Sequence, residues 1–132
     1  MRVSGSPPGE EAWTVQLEDH HRAGKRTIIR LRDAAISTSG NYENYFEAGG
    51  RRYSHIIDPR SGLPVGGIAS CSVIAPTCTE SDAWATACFV LGPTRSDELL
   101  GDRYPRRFIV LDSKGEGVVD REVKSRGFPR SP

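Results

Sequence analysis

At 132 residues the chain is long enough to bury a core and too short to divide into several domains of ordinary size. A net charge of +1 gives no global argument for a nucleic-acid or acidic partner, and no apolar window approaches the length that spans a bilayer. A hydrophobic fraction of 36% with 14 glycines and 9 prolines predicts short elements joined by many turns.

The whole chain, 1–132, is read as a single domain with irregular ends at 1–11 and 120–132. The segment Met1 to Gly9 has no apolar core and does not read as a signal peptide. Trp13 to Glu18 alternates apolar and polar residues, the period of a half-buried strand. A polar loop over 19–25 carries His20 and His21; adjacent histidines point to opposite sides of an extended chain and make a poor metal pair. Thr27–Leu31 and Asp33–Gly40 read as the next strands. Asn41–Glu47 is one or two helical turns or an aromatic strand, and the alternation of Tyr42, Asn44 and Phe46 favours the strand. Gly49-Gly50 has hairpin-turn chemistry, and Arg52–Ile57 returns as the partner strand.

The segment Tyr53-Ser54-His55-Ile56-Ile57-Asp58-Pro59-Arg60-Ser61-Gly62-Leu63-Pro64 packs an imidazole, a carboxylate, a guanidinium and hydroxyls into a strand end and a turn-rich loop. Shaped polar loops of this kind are where sites are built. Ile56 and Ile57 tie it to a core. Ala69–Ala75 is then a strand of small and β-branched residues. Pro76–Ser81 is a turn with helix-start chemistry, in which Ser81 can accept from the first free amides and Asp82 favours the positive end of the helix dipole. The following run to Leu91 is apolar nearly all round, so it reads as a buried helix that Gly92-Pro93 stops. A polar helix over 94–103 and a strand over 107–112 follow, with Ser113–Gly117 turning into Val118-Val119. The sum is an α+β fold, a mostly antiparallel sheet with one buried helix. Cys71, Cys78 and Cys88 lack a metal-ligand spacing and read as free, buried thiols, with one disulfide plus a lone thiol as the alternative.

Asp82 and Thr86 are four residues apart on that helix, hence on one face. A carboxylate and a hydroxyl stacked this way offer two hard oxygens, which suit Mg²⁺ or Ca²⁺ better than zinc. Each residue also has a plainer reading when taken alone. Asp82 can simply favour a helix start, and Thr86 can bond back to a carbonyl. His55 can be a core histidine satisfied by the backbone, and Asp58–Gly62 an ordinary Asp-stabilised turn. Residue chemistry and spacing alone stop at a site for an oxyanion or a metal.

Taken together, these residues resemble the C-terminal half of the ApbE-type FAD:protein FMN transferases. Ile36-Ser37-Thr38-Ser39-Gly40-Asn41-Tyr42 looks like that family's Thr-Ser-Gly-Asp-Tyr segment. Gly50 to Val65 looks like its His-Ile-Ile-Asp-Pro-Arg-Thr-Gly signature, with Ser61 for the threonine. Ser72–Pro76 followed by Ser81-Asp82-Ala83-Trp84-Ala85-Thr86-Ala87 looks like its Ala-Asp-Ala-x-Ala-Thr metal helix, which Phe89–Gly92 closes.

The resemblance implies Mg²⁺-dependent transfer of FMN from FAD to a Thr or Ser hydroxyl of a target flavoprotein, with release of AMP. It assigns Asp82 and Thr86 as metal ligands, His55 as general base, and Ile56 as a nucleotide contact through its backbone. Asp58 and Arg60 would brace the loop that aims His55. Family members are longer and commonly extracytoplasmic and membrane-anchored. The resemblance therefore implies an N-terminal half, in the same or a separate chain, that supplies much of the FAD surface and a further metal ligand. The alternatives are a non-catalytic FAD- or metal-binding module and an inactive truncated remnant. Asn41 stands where the family has aspartate, and Ser81, as an added helix cap, where it has alanine.

Overall fold

The computed structural model describes residues 1–18, 26–112 and 117–123. His20, His21, the turn residues 113–116 and the tail beyond Val123 lie outside them. In chain order the elements are strands β1 (Trp13–Leu17), β2 (Thr27–Leu31), β3 (Ala35–Gly40), β4 (Tyr45–Ala48), β5 (Arg51–Ser54), β6 (Ile57–Asp58), β7 (Leu63–Pro64) and β8 (Ile68–Ala75). Helix α1 (Cys78–Leu100) and strands β9 (Arg106–Leu111) and β10 (Gly117–Val123) complete them.

The central sheet is antiparallel, in the order β10-β9-β8-β3. β8 is its buried middle, with every residue from Ile68 to Ala75 out of solvent, as the small and β-branched run predicts. Alternate residues of β8 serve two cores. Cys71, Val73 and Ala75 pack with Ala85, Cys88 and Phe89 of α1 and Phe108 of β9. Ile74, with its cross-strand partner Ile36, packs with Leu17, Ile29 and Leu31 of the β1–β2 hairpin. The sheet thus has the helix on one face and the hairpin on the other.

The ends are more regular than the sequence predicts. Met1 and Val3 pair with β3 through Ile36 N–H to Met1 O at 2.9 Å and Val3 N–H to Ala34 O at 2.9 Å. β10 extends to Val123, so residues 120–123 belong to the sheet. A backbone ladder satisfies polar groups whatever the side chains are, and composition does not register it.

The helix also starts earlier than expected. Thr77 is its N-cap: its hydroxyl accepts from Glu80 N–H at 3.2 Å and donates to the Glu80 carboxylate at 2.8 Å. This is the Thr-x-x-Glu capping pattern. It places Ser81 and Asp82 beyond the first orphan amides, so neither caps the helix. Ser81 is fully buried instead, donating to Cys78 O at 3.0 Å and pairing with Ser37 Oγ at 2.8 Å. At the other end Gly92 (φ 79°, ψ 170°) breaks the helical path, and Pro93 opens a second segment that runs to Leu100.

α1 is buried along one face, through Ser81, Ala85, Cys88, Phe89, Ser96 and Leu100. Asp82, Ala83 and Thr86 are exposed, because a helix lying on one side of a sheet leaves its outer face to solvent whatever its composition. The cysteines are free: Cys71 and Cys88 are buried, and Cys78, at the helix start, is exposed. No helix among the described residues is long and apolar enough to cross a membrane.

Candidate active site

Between β3 and β8 the chain leaves the sheet and makes two small ribbons, β4–β5 and β6–β7, with His55 and Ile56 at the junction. Pairing of Tyr45 with Ser54 closes the first ribbon, and stacked Phe46 and Tyr53 rings, 5.2 Å apart, stiffen it. The junction lies beside the end of β3 and the middle of α1. A hollow of about 450 Å³ is lined there by Thr38, Ser39, Gly40, Tyr42, Glu43, Asn44, His55, Ile56 and Thr86. Its size is that of small-molecule sites.

His55 is exposed rather than a core residue, and its Nδ1 lies 2.6 Å from the Asn44 carbonyl oxygen. A carbonyl only accepts, so Nδ1 carries the proton of that bond. In the neutral ring this leaves the lone pair on Nε2, the form a general base needs. Asn44, which the sequence presents only as part of an aromatic stretch, therefore sets the tautomer.

The backbone of Ile56 is engaged within the chain. Its N–H donates to Ser54 Oγ at 3.1 Å, and its carbonyl accepts from Val65 N–H at 2.9 Å. Its half-buried side chain lines the hollow and packs against the core under α1.

Asp58 and Arg60 are locked together. Arg60 N–H donates to Asp58 Oδ1 at 2.9 Å, while its guanidinium spans both carboxylate oxygens at 2.7–3.2 Å. Arg60 Nη2 also donates to Val90 O at 3.2 Å, just before the break at Gly92, where helix carbonyls lack partners of their own. Gly62, at φ 70°, completes the turn with its N–H on Asp58 O at 2.8 Å. The loop is thereby tied to the helix that carries Asp82 and Thr86.

The Arg60 side-chain hydrogen bonds hold the Asp58 carboxyl down, from 3.8 to about 2. A depressed carboxylate pKa contributes stability above its unfolded value, here above about pH 4, and that contribution is lost as pH falls through about 2. In an NMR titration Asp58 should protonate near pH 2 in the native chain and move back toward 3.8 in Arg60→Ala. An Asp58 that titrates at 3.8 with Arg60 present would show that the pair does not form in solution.

Gly40 is required by close approach. A Cβ there would stand 2.6 Å from Tyr42 Cε1 and 3.1 Å from Ala69 O. The Tyr42 ring lies directly over it, so Gly40→Ala should displace that wall of the hollow and cost about 1–3 kcal/mol in denaturant unfolding. Next to it, Asn41 Nδ2 donates to Ile68 O at 3.2 Å, a bond an ionised aspartate lacks.

Asp82 and Thr86 lie one turn apart on the exposed face of α1, in neighbouring hollows. Thr86 shares the one with His55, whereas Asp82 lines a second of about 450 Å³ with Ser37, Cys78, Thr79 and Ala83. Thr86 Oγ1 is 2.8 Å from Ser39 Oγ. Among the described residues no group of three or more His, Cys, Asp or Glu side chains converges to hold a metal. One exposed carboxylate and one hydroxyl amount to a partial, all-oxygen set, which fits a hard cation completed by phosphate and water and does not fit zinc.

The antiparallel sheet with a helix laid on one face is a fold with solved members. The chain superimposes on the apo flavinyl transferase ApbE of Pseudomonas stutzeri with a TM-score of 0.72 and 35% identity, over 92% of this chain and 38% of that one. It matches the flavin transferase ApbE of Vibrio cholerae with a TM-score of 0.71 and 30% identity, over 89% and 38%. The ApbE family model matches residues 1–109, and the chain belongs to that family. It is 42% identical over 118 residues to the FAD:protein FMN transferase of Treponema pallidum, covering 83% of this chain and 32% of that protein. The chain spans about a third of the length of the curated relatives it matches.

Proposed function

We propose that this chain forms the catalytic face of an enzyme that transfers FMN from FAD to a Thr or Ser hydroxyl of a target flavoprotein. The observation that carries the reading is the Nδ1 bond of His55 to Asn44 O, which leaves Nε2 as a base at the mouth of a nucleotide-sized hollow. His55 Nε2 takes the proton of the acceptor hydroxyl as that oxygen attacks the phosphorus on the FMN side of the FAD pyrophosphate. A phosphoester bond to the acceptor forms, the bridging P–O bond breaks, and AMP leaves. Asp82 and Thr86 would hold Mg²⁺, which when bound supplies neutralisation of charge at the pyrophosphate. The Ile56 side chain packs on the flavin nucleotide, and the Asp58–Arg60 pair keeps His55 in register with α1.

Given the share of its relatives that this chain spans, the rest of the FAD surface and a further metal ligand would come from an N-terminal half, in the same polypeptide or a separate chain. The partial oxygen set at Asp82 and Thr86 also suits a second reading, a module that binds FAD and metal without turnover. In a protein that includes the N-terminal half, FAD with Mg²⁺ is expected to raise the melting temperature under either reading. The absence of any shift with FAD or with AMP plus Mg²⁺ would rule out both.

A further inference from the structure

Ser37 and Ser39 project from β3 toward α1, and each meets a helix hydroxyl. Ser37 Oγ is 2.8 Å from Ser81 Oγ, and Ser39 Oγ is 2.8 Å from Thr86 Oγ1. Two strand residues advance about 6.7 Å, and five helical residues advance about 7.5 Å. The two bonds therefore form one seam, with strand and helix running side by side. In its first pair Ser81 is fully buried while Ser37 lines the Asp82 hollow; its second opens into the hollow that holds His55.

A threonine in a helix ordinarily turns its hydroxyl back onto the carbonyl four residues earlier, here that of Asp82. Ser39 offers Thr86 a different partner across the seam. A hydroxyl carries one proton and two lone pairs. If Thr86 gives its proton to Ser39 Oγ, both its lone pairs are free. A cation on those lone pairs polarises the O–H bond and strengthens Thr86 as the donor, so metal binding and the Ser39 bond favour each other.

We propose that Ser39 is a positioning residue: its Oγ accepts the Thr86 hydroxyl proton and holds Thr86 Oγ1 with its lone pairs toward the metal. The inference rests on the reading of Thr86 as a metal ligand. Without Ser39 the Thr86 hydroxyl turns back to the Asp82 carbonyl, which leaves its lone pairs free but no longer aims them at the metal.

The test is the affinity for Mn²⁺, followed by its electron paramagnetic resonance signal with saturating FAD, in this chain together with the N-terminal half proposed above. Ser39→Ala is expected to weaken Mn²⁺ binding by about 10-fold or more. Ser39→Thr, which keeps the hydroxyl, should restore it. Ser72→Ala breaks a hydroxyl pair of the same length with Thr38, so it controls for a stability effect and should leave Mn²⁺ affinity unchanged. In the Thr86→Ala background Ser39→Ala should add nothing, since both act through one group. If Thr86→Ala weakens Mn²⁺ binding and Ser39→Ala does not, the positioning role is wrong and the ligand reading stands. If Thr86→Ala has no effect, or if no Mn²⁺ binds, the ligand reading fails and the Ser39 role falls with it.

Discussion

His55→Ala is expected to lower FMN transfer by about 10²–10⁴-fold while leaving the fold and FAD binding in place. The separation of effects follows from position. His55 is exposed and its recorded hydrogen bond is to one carbonyl, so its removal opens no cavity and orphans no buried donor. What would be lost is the Nε2 lone pair proposed to take the acceptor proton. The chemistry of the ring is set from outside it. The Asn44 carbonyl holds Nδ1, and the Asp58–Arg60–Val90 chain of bonds fixes the loop against α1. Full transfer by His55→Ala, measured against an acceptor threonine, would assign the base to another group and reduce the loop to scaffold.

Asp82→Ala should abolish the Mg²⁺-dependent part of FAD binding. FAD with Mg²⁺ at about 100 times the dissociation constant stabilises a protein by about 2.7 kcal/mol. Most of that gain should disappear in the variant, read as a melting temperature that no longer responds to Mg²⁺. In the absence of ligands the variant should stay within about 0.5 kcal/mol of wild type. Asp82 is exposed, lies beyond the capping turn that Thr77 and Glu80 complete, and is not needed to start the helix. A loss of stability without ligand, with the Mg²⁺ response intact, would restore the plainer view of Asp82 as a helix-favouring charge.

Much of this architecture is legible in the residues because periodicity reports burial directly. The alternation in Trp13–Leu17, the β-branched run of β8 and the apolar run Ala83–Leu91 within α1 each correspond to an observed element. The site residues are legible through combination rather than singly. Asp58 and Arg60 share a turn three residues beyond His55, and Asp82 and Thr86 share a helix face.

What the sequence does not show depends on partners far away in the chain. Thr77-x-x-Glu80 is the sequence signal for the helix start, and Ser81 competes with it because a buried serine and a capping serine look alike in a string. The Ser39–Thr86 bond spans 47 residues, and the engagement of both Ile56 backbone groups depends on Ser54 and Val65. One signal for the seam does lie in the sequence: hydroxyls at Ser37 and Ser39 share a face of β3, as do those of any strand residues two apart. Strand pairing of Met1 to Val3 and of residues 121–123 is invisible to composition, since backbone ladders place few demands on side chains.

The central claim is that this face performs transfer rather than binding alone. The most direct measurement is mass spectrometry of a threonine-bearing acceptor flavoprotein incubated with FAD, Mg²⁺ and this chain joined to the N-terminal half proposed above. The account predicts an acceptor heavier by one FMN phosphoester, equimolar release of AMP, and loss of both in His55→Ala. FAD bound with its Mg²⁺-dependent stabilisation intact, and an acceptor of unchanged mass, would contradict it and leave a binding module.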